Sequence, residues 1–318
     1  MQLIIFDVSN TLDNTGVVIR QAYLKPLEIL GGLNEGIKNN TKLLEPINVF
    51  TWINRSLRKL RNYNSSELFR QVFLRSLLYD KITRNFDELA KIEDGDVTKK
   101  LEQIYSNDVL VIVDLVTKKF LEEKDKNKPA LRENAVNAIM SAKQMGEVCI
   151  ASMEDPNVVF QYIDTHKLPI DKTKCVFGKV LNITDKSQLY KILLGNKQFF
   201  GEVKIDMVHI VGDMIKEDLE AGDFIVGEFN IPVKKYYTPL PYEITLLLEE
   251  KIVNSNIECT EEDKQNILEH GIMANDLSNL LKNISKQIMQ EIKTKVDGAS
   301  YNLSDIPRML RGEKIIAI

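Results

Sequence analysis

The sequence predicts an α/β protein built on an open parallel β-sheet, and three short stretches predict it. Leu3, Ile4, Ile5 and Phe6 form an unbroken apolar run that ends abruptly in Asp7, Ser9, Asn10 and Thr11. The run VCIA ends in Ser152, and the run from Met207 to Val211 breaks at Gly212 and presents Asp213. Unbroken apolar runs of this length suit strands buried on both faces, as parallel sheets require. In such sheets ligands gather beyond the carboxyl ends of the strands, where these runs carry their polar side chains.

Each element has its own justification. The first stretch, taken alone, also reads as an N-terminal edge strand whose Asp7 caps a turn. Ahead of the second strand, Ala135, Val136, Ile139, Met140 and Met145 recur at helical spacing, and Gly146 follows as a C-cap. After the third, Gly212 permits a tight turn, and Asp213 and Asp218 bracket the start of a further helix.

Composition bounds the function. With 318 residues, 44% of them hydrophobic and 28% charged, the chain can bury one large or two medium cores. A net charge of -4 lacks the dense basic surface that nucleic-acid backbones require, so no nucleic-acid partner is expected. No apolar stretch approaches the roughly 20 residues that cross a bilayer, and MQLIIFD lacks a signal-peptide pattern, so a cytoplasmic protein without a membrane partner is expected. Cys149, Cys175 and Cys259 lack disulfide or metal spacing and read as reduced thiols.

In order along the chain, FDVSNTL, VCIAS, a lysine within FGKVLNITDKSQLYK, and VGDMIKED resemble the four short motifs of the haloacid dehalogenase-like (HAD) superfamily of aspartate-nucleophile phosphotransferases and hydrolases. The resemblance covers residues 1–13 and about 130–225, and the first and fourth motifs are its more specific parts. It implies a Rossmann-like core of the HAD type. It also implies that Asp7 is a nucleophile that attacks phosphorus and forms an aspartyl-phosphate, which water later hydrolyses. Mg2+ would be held by Asp7, the main-chain carbonyl of Ser9 and Asp213, with Asp218 close by. Ser152 would donate its hydroxyl to a phosphoryl oxygen, and a lysine would neutralise developing charge. Lys186, just before the helical-looking SQLYKIL, fits that place better than its rival Lys179. Bland readings stand beside these: Ser152 as an N-cap, the two acids as favourable charges at a helix N-terminus, and either lysine as a solvated one.

Ser9 departs from the resemblance. The related phosphatases usually carry a second Asp there, which protonates the leaving group and then activates water. A serine hydroxyl titrates far above neutrality and cannot do so. The sequence therefore reads as a slow or specialised Mg2+-dependent phosphohydrolase or phosphotransferase acting on a small phosphorylated metabolite. The alternatives are a catalytically silent binding protein, or a dehalogenase or phosphonatase. Asp213 and Asp218 favour a metal, which carbon–halogen hydrolysis does not need.

The expected domains are a core of residues 1–13 and 125–239, an inserted α-helical cap of 14–124, and a helical C-terminal extension of 240–318. In the cap, Trp52, Ile53, Leu57 and Leu60 form one apolar set, and Leu68, Phe69, Val72, Phe73 and Leu77 form another after the capping candidate Ser65. DVLVIVDLV from Asp108 suits strand or helix, and KDKNKP at 124–129 reads as a hinge. Arg55, Arg58, Lys59 and Arg61 read as a solvated helix face or as an anion-gathering patch, and His166, His209 and His270 as structural residues. Thr260 with Asp263 resembles a capping box, and Leu277, Leu281, Ile284, Ile288 and Ile292 mark an amphipathic helix. That helix packs on the core or, as the runner-up, makes a homodimer. RMLRGEKIIAI offers a terminal strand.

Overall fold

The computed structural model describes residues 1–33, 49–247 apart from positions 51, 52, 55, 58, 59, 61, 62, 64, 80, 84, 106, 107, 184, 202, 242, 245 and 246, and residues 278–318. Contacts divide the chain into two compact units. The first is Met1–Gly16 with Pro129–Leu248 and Ser285–Ile318, and the second is Val17–Lys128 with Glu249–Ile284. Trp52, the basic cluster Arg55, Arg58, Lys59 and Arg61, and Cys259, Thr260, Asp263, His270 and Leu277 lie outside the described residues.

The first unit is an α/β sheet of seven strands, β1 (Gln2–Phe6), β2 (Glu147–Ser152), β3 (Val176–Phe177), β4 (Met207–Gly212), β5 (Val233–Tyr237), β6 (Gly298–Ser300) and β7 (Ile316–Ala317). They lie in the order β3-β2-β1-β4-β5-β6-β7, with every pairing parallel. Parallel neighbours need crossovers, and helices such as Ala135–Met145, Pro156–His166, Lys186–Gly195 and Asp223–Phe229 supply them. The chain steps outward from β1 through β2 to β3, then returns to lay β4 on the other side of β1. That reversal makes the carboxyl end of β1 a topological switch point, the place where such sheets hold ligands. Phe6 pairs with Ile150 on one side and Val211 on the other, so the tips of β2, β1 and β4 emerge together.

The core of this unit joins Ile4, Phe6, Ile150, Val211 and Tyr236 of the sheet to Ala138, Ile139 and Ala142 of the helix Ala135–Met145. The buried stripe of that helix is narrower than its sequence suggests, for Met140 is 47% exposed. Gly146 does follow the helix, with extended backbone, and its N–H reaches the Ala142 carbonyl. A Cβ there would lie 2.3 Å from the Gln2 carbonyl oxygen, so close approach to the neighbouring strand is what excludes a side chain. His209 is buried in β4 with Nδ1 3.0 Å from the Tyr236 hydroxyl, but its Nε2 has no hydrogen-bond partner among the described residues. Its burial is only half satisfied, and desolvation holds its pKa down at about 4. Cys149 and Cys175 are free thiols.

The C-terminal stretch differs from a purely helical extension. A helix does span Ser278–Lys295, and its Ile288 and Ile292 are buried within the chain. Beyond it β6 and β7 extend the parallel sheet. Strands of three and two residues carry too few positions for a period-two pattern, which is why they escape sequence reading apart from the apolar terminus.

The second unit is helical, with helices Thr15–Leu33, Ser65–Leu78, Phe86–Lys91, Asp94–Ile104 and Val109–Lys126. The ambiguous DVLVIVDLV is helix: Val109, Val113, Val116 and Phe120 are buried at helical spacing, while Val111 and Leu115 face outward at 60% and 62% exposure. The same helix continues to Lys126, so the first three residues of KDKNKP are helical rather than hinge. Ile53 and Leu57 are buried as expected, but Leu60 is half exposed. Leu68, Phe69, Val72, Phe73 and Leu77 are all buried, and Phe69 and Phe73 join Tyr23, Phe50 and Phe120 in one ring cluster. No described helix is long and apolar enough to cross a membrane.

Arg75 is the polar keystone of this unit. Its guanidinium is fully buried and donates to the Leu89 carbonyl at 3.0 Å, the Ile92 carbonyl at 2.7 Å and Asp94 at 2.8 Å, besides the Gln71 side chain. Arg75→Leu keeps bulk but strands these acceptors, and we expect it to lower stability by about 3 to 5 kcal/mol. Urea denaturation checks this; a loss below about 1 kcal/mol would contradict the role given to Arg75.

Candidate active site

The site lies within the first unit, at the switch point beyond β1. Asp7 follows the last residue of β1, and its N–H bonds the Val211 carbonyl at 3.0 Å, so β4 fixes where its carboxylate emerges. Asp213 follows β4, and its Oδ1 accepts the Thr11 hydroxyl at 2.9 Å. Asp218 is delivered by one turn of π-helix, Ile215–Leu219, and its Oδ2 accepts the Met214 N–H at 3.0 Å. The sequence predicts an ordinary helix start here, and the structure has a π-turn instead, a rare element that clusters at functional sites.

Asp7, Asp213 and Asp218 are all buried, and one oxygen from each lies within 4.8 Å of the others. Lys186, the first residue of its helix, is buried with them, its Nζ 2.7 Å from Asp7 Oδ1 and 2.5 Å from Asp218 Oδ1. Asp185 caps that helix by accepting the Ser187 N–H, which sets where Lys186 begins. Lys179, the rival, is half exposed and pairs with Asp155 at 3.0 Å rather than with any of these three acids.

The electrostatics follow from burial. Desolvation pushes Asp7 up to about 6, against the pull of Lys186 and with a further push from Asp218. Asp213 is raised well above the carboxylate range, by burial first and then by Glu243, Asp218 and Asp7. For Lys186 desolvation opposes the charge, but Asp218 and Asp7 outweigh it and hold the ammonium protonated. Lys186 contacts two of the three carboxylates, so the cluster keeps excess negative charge, which adds to the desolvation that raises Asp7 and Asp213. Such a donor set, all oxygen and underneutralised, fits a hard divalent cation such as Mg2+.

Ser152 ends β2 and is buried; its Oγ accepts the Glu154 N–H at 3.2 Å and, among the described residues, its proton is committed to no acceptor. Asp155, not Ser152, caps the following helix by accepting the Asn157 N–H. Ser9 donates its hydroxyl to Glu154 Oε2 at 2.9 Å.

Three further residues support the site. Glu243 is buried and accepts Asn10 Nδ2 at 3.1 Å and the Leu240 N–H at 2.6 Å. Asn10 holds a left-handed backbone with φ 64° in the turn after β1, where Asn is tolerated. Arg132 donates to the carbonyls of Asn10 at 2.6 Å, Thr11 at 3.1 Å, Thr238 at 2.7 Å and Tyr301 at 2.7 Å, tying the loops beyond β1, β5 and β6 together. Glu243 and Arg132 are not legible in the sequence, since their contacts with Asn10, Thr238 and Tyr301 are remote along the chain. Only the Asn in FDVSNTL, a residue type suited to a left-handed turn, carried a local signal.

Against proteins of known structure, the overall likeness is distant. The chain resembles haloacid dehalogenase-like hydrolases. Similar structures include a haloacid dehalogenase-like family hydrolase from Xanthomonas campestris, at 14% identity and a TM-score of 0.42, covering 90% of this chain and 94% of that one. They also include the HAD-hydrolase YfnB from Bacillus subtilis bound to magnesium, at 11% identity and a TM-score of 0.45, covering 74% of this chain and 88% of that one. A 2-haloacid dehalogenase from Pseudomonas syringae shows 12% identity and a TM-score of 0.41, covering 98% of each chain. No protein-family model matches the chain, and no curated protein does. Likenesses this distant carry no chemistry to this chain, whose own side chains must supply it.

Gly212 tests how tightly the cluster is built. A Cβ there would fall 2.6 Å from Asp218 Cβ, whose carboxylate is held by Lys186 and the Met214 N–H. Gly212→Ala therefore has to displace Asp218, and we expect a loss of about 1 to 3 kcal/mol by overpacking together with at least a tenfold loss of Mg2+ affinity. Denaturation and calorimetry read the two effects; unchanged values in both would mean that Asp218 is not confined as described.

Proposed function

We propose that the protein is a Mg2+-dependent phosphohydrolase or phosphotransferase that acts through an aspartyl-phosphate on Asp7, with a small phosphorylated metabolite as substrate. The observation that carries this reading is the buried cluster of Asp7, Asp213 and Asp218 around Lys186 at the tips of β1 and β4. Asp7, Asp213 and Asp218 would hold the cation; when bound, it would offset the charge of a phosphoryl group and of the carboxylate that meets it. The chain's own groups account for the rest. Asp7 is oriented by the Lys186 ammonium and is the carboxylate at the switch point. Lys186 also offsets charge on the phosphoryl oxygens, and the Ser152 hydroxyl has a proton to donate to one of them. Lys186, held by two carboxylates, needs no reorganisation to do this.

Hydrolysis of a carbon–halogen bond is the less favoured reading, because attack on a neutral carbon gives no reason to bury three carboxylates together. Calorimetry on the wild type and Asp213→Asn, with a screen of phosphate esters and 2-haloacids in Mg2+ and in chelator, separates the two. We expect Mg2+ binding that falls at least tenfold in Asp213→Asn, and ester hydrolysis that requires Mg2+. Dehalogenation that persists in chelator, without ester hydrolysis, would overturn the proposal.

A further inference from the structure

We propose that Glu154 is a catalytic residue, the proton donor to the leaving group and the acceptor of a proton from water, delivered from the tip of β2 to the place where Ser9 stands. The inference rests on the phosphoryl-transfer reading above. An alkyl ester leaves as an alkoxide unless a proton meets it, and the second step needs a base for water. Asp7, Asp213 and Asp218 face Lys186, Thr11 and the Met214 N–H, and a serine hydroxyl does not exchange protons at neutral pH by itself. Glu154 is the carboxyl that the fold brings to Ser9, 145 residues away in sequence, with Oε2 2.9 Å from the Ser9 hydroxyl.

The surroundings hold it there. Its Oε1 accepts the Asp155 N–H at 3.0 Å, and its own N–H bonds Ser152 Oγ at 3.2 Å, so one hydroxyl of the site anchors the backbone that carries it. Half-buried between the tips of β1 and β2, Glu154 has access both to solvent and to Ser9. In the first step an Asp7 oxygen bonds phosphorus and the ester P–O bond breaks. The departing oxygen takes a proton from the acid form of Glu154, in which the Oε2–H turns to the Ser9 oxygen, directly or through Ser9, whose hydroxyl gives one proton as it accepts another; the carboxylate left behind accepts the Ser9 hydroxyl, as in the structure. In the second step the oxygen of water bonds phosphorus and passes a proton to the Glu154 carboxylate. The Asp7–phosphorus bond breaks, which frees phosphate and restores both carboxyl groups to their starting states.

The test times phosphoenzyme formation by the full-length chain in Mg2+ from glycerol 3-phosphate, whose leaving group needs a proton, and from p-nitrophenyl phosphate, whose leaving group does not. Glu154→Gln is expected to slow the first by about 100- to 10,000-fold and the second by less than about tenfold. Ser9→Asp returns a carboxyl to the same spot, so adding it to Glu154→Gln should recover at least about tenfold with glycerol 3-phosphate. On its own Ser9→Asp sets two carboxylates against each other and should bring no gain. If Glu154→Gln does not fold, Glu154→Asp, which withdraws the carboxyl by one methylene, should shift the same ratio in the same direction. Equal losses with both esters, no loss with either, or a wild type that accepts the aryl ester alone would overturn the proposal and leave Glu154 a loop staple. A wild type that forms no phosphoenzyme from either ester would remove the phosphoryl-transfer reading itself, and the role of Glu154 with it.

Discussion

Asp7→Asn is expected to lower turnover of phosphate esters by about 10,000-fold or more, because an amide oxygen is a far weaker nucleophile and the covalent step is lost. The same change should not weaken the fold. Burial raises the Asp7 pKa from 3.8 to about 6, so the folded chain binds this proton more tightly than the unfolded chain does. Stability from this group is therefore fully present below about 4 and is lost as pH rises through about 6. The shift from 3.8 to about 6 corresponds to about 3 kcal/mol at neutral pH in the cation-free protein, which Asn would not incur. Denaturation between pH 4 and 8, in chelator and in Mg2+, checks the sign. Mg2+ should stabilise the wild type most above about pH 6, and Asp7→Asn should flatten the chelator profile. A wild type that gains stability in chelator as pH rises over this range would contradict the assignment of Asp7 as a buried, underneutralised carboxylate.

Lys186→Met carries the second large effect. Among the described residues Lys186 provides the one ammonium in contact with Asp7 and Asp218, and the methionine would leave three buried carboxylates without it. Removing one partner from a buried ionic cluster costs about 3 to 5 kcal/mol, and turnover should fall at least about 100-fold with the lost phosphoryl contact. Because Mg2+ would answer the same carboxylates, the stability loss should be larger in chelator than in Mg2+. Equal losses under both conditions would show that ammonium and cation do not share one site.

The parallel sheet was legible because β1, β2 and β4 are buried on both faces and so read as unbroken apolar runs ending in polar side chains. Asp7, Ser152 and Asp213 stand at those ends, which made them findable by position alone. Lys186 was harder. Its place just before SQLYKIL favours it over Lys179, but a helix start suits a solvated lysine equally well; burial against Asp7 and Asp218 is the further distinction, while Lys179 pairs with Asp155. β6 hid because it is short, β7 was legible only as the apolar terminus of RMLRGEKIIAI, and the helix from Val109 hid behind β-branched residues whose burial spacing decides the matter. Glu154 stands two residues after Ser152 and carries no local signal of its own; its meaning comes from Ser9, a contact no local pattern encodes.

Acid-quenched protein shows whether Asp7 accepts a phosphoryl group. After brief exposure of the wild type to p-nitrophenyl phosphate in Mg2+, peptide mass spectrometry should find a phosphoryl adduct on the N-terminal peptide at Asp7, labile to hydroxylamine and missing from Asp7→Asn. Rapid release of p-nitrophenol with no adduct on Asp7 at any quench time, or with an adduct on another residue, would contradict the account.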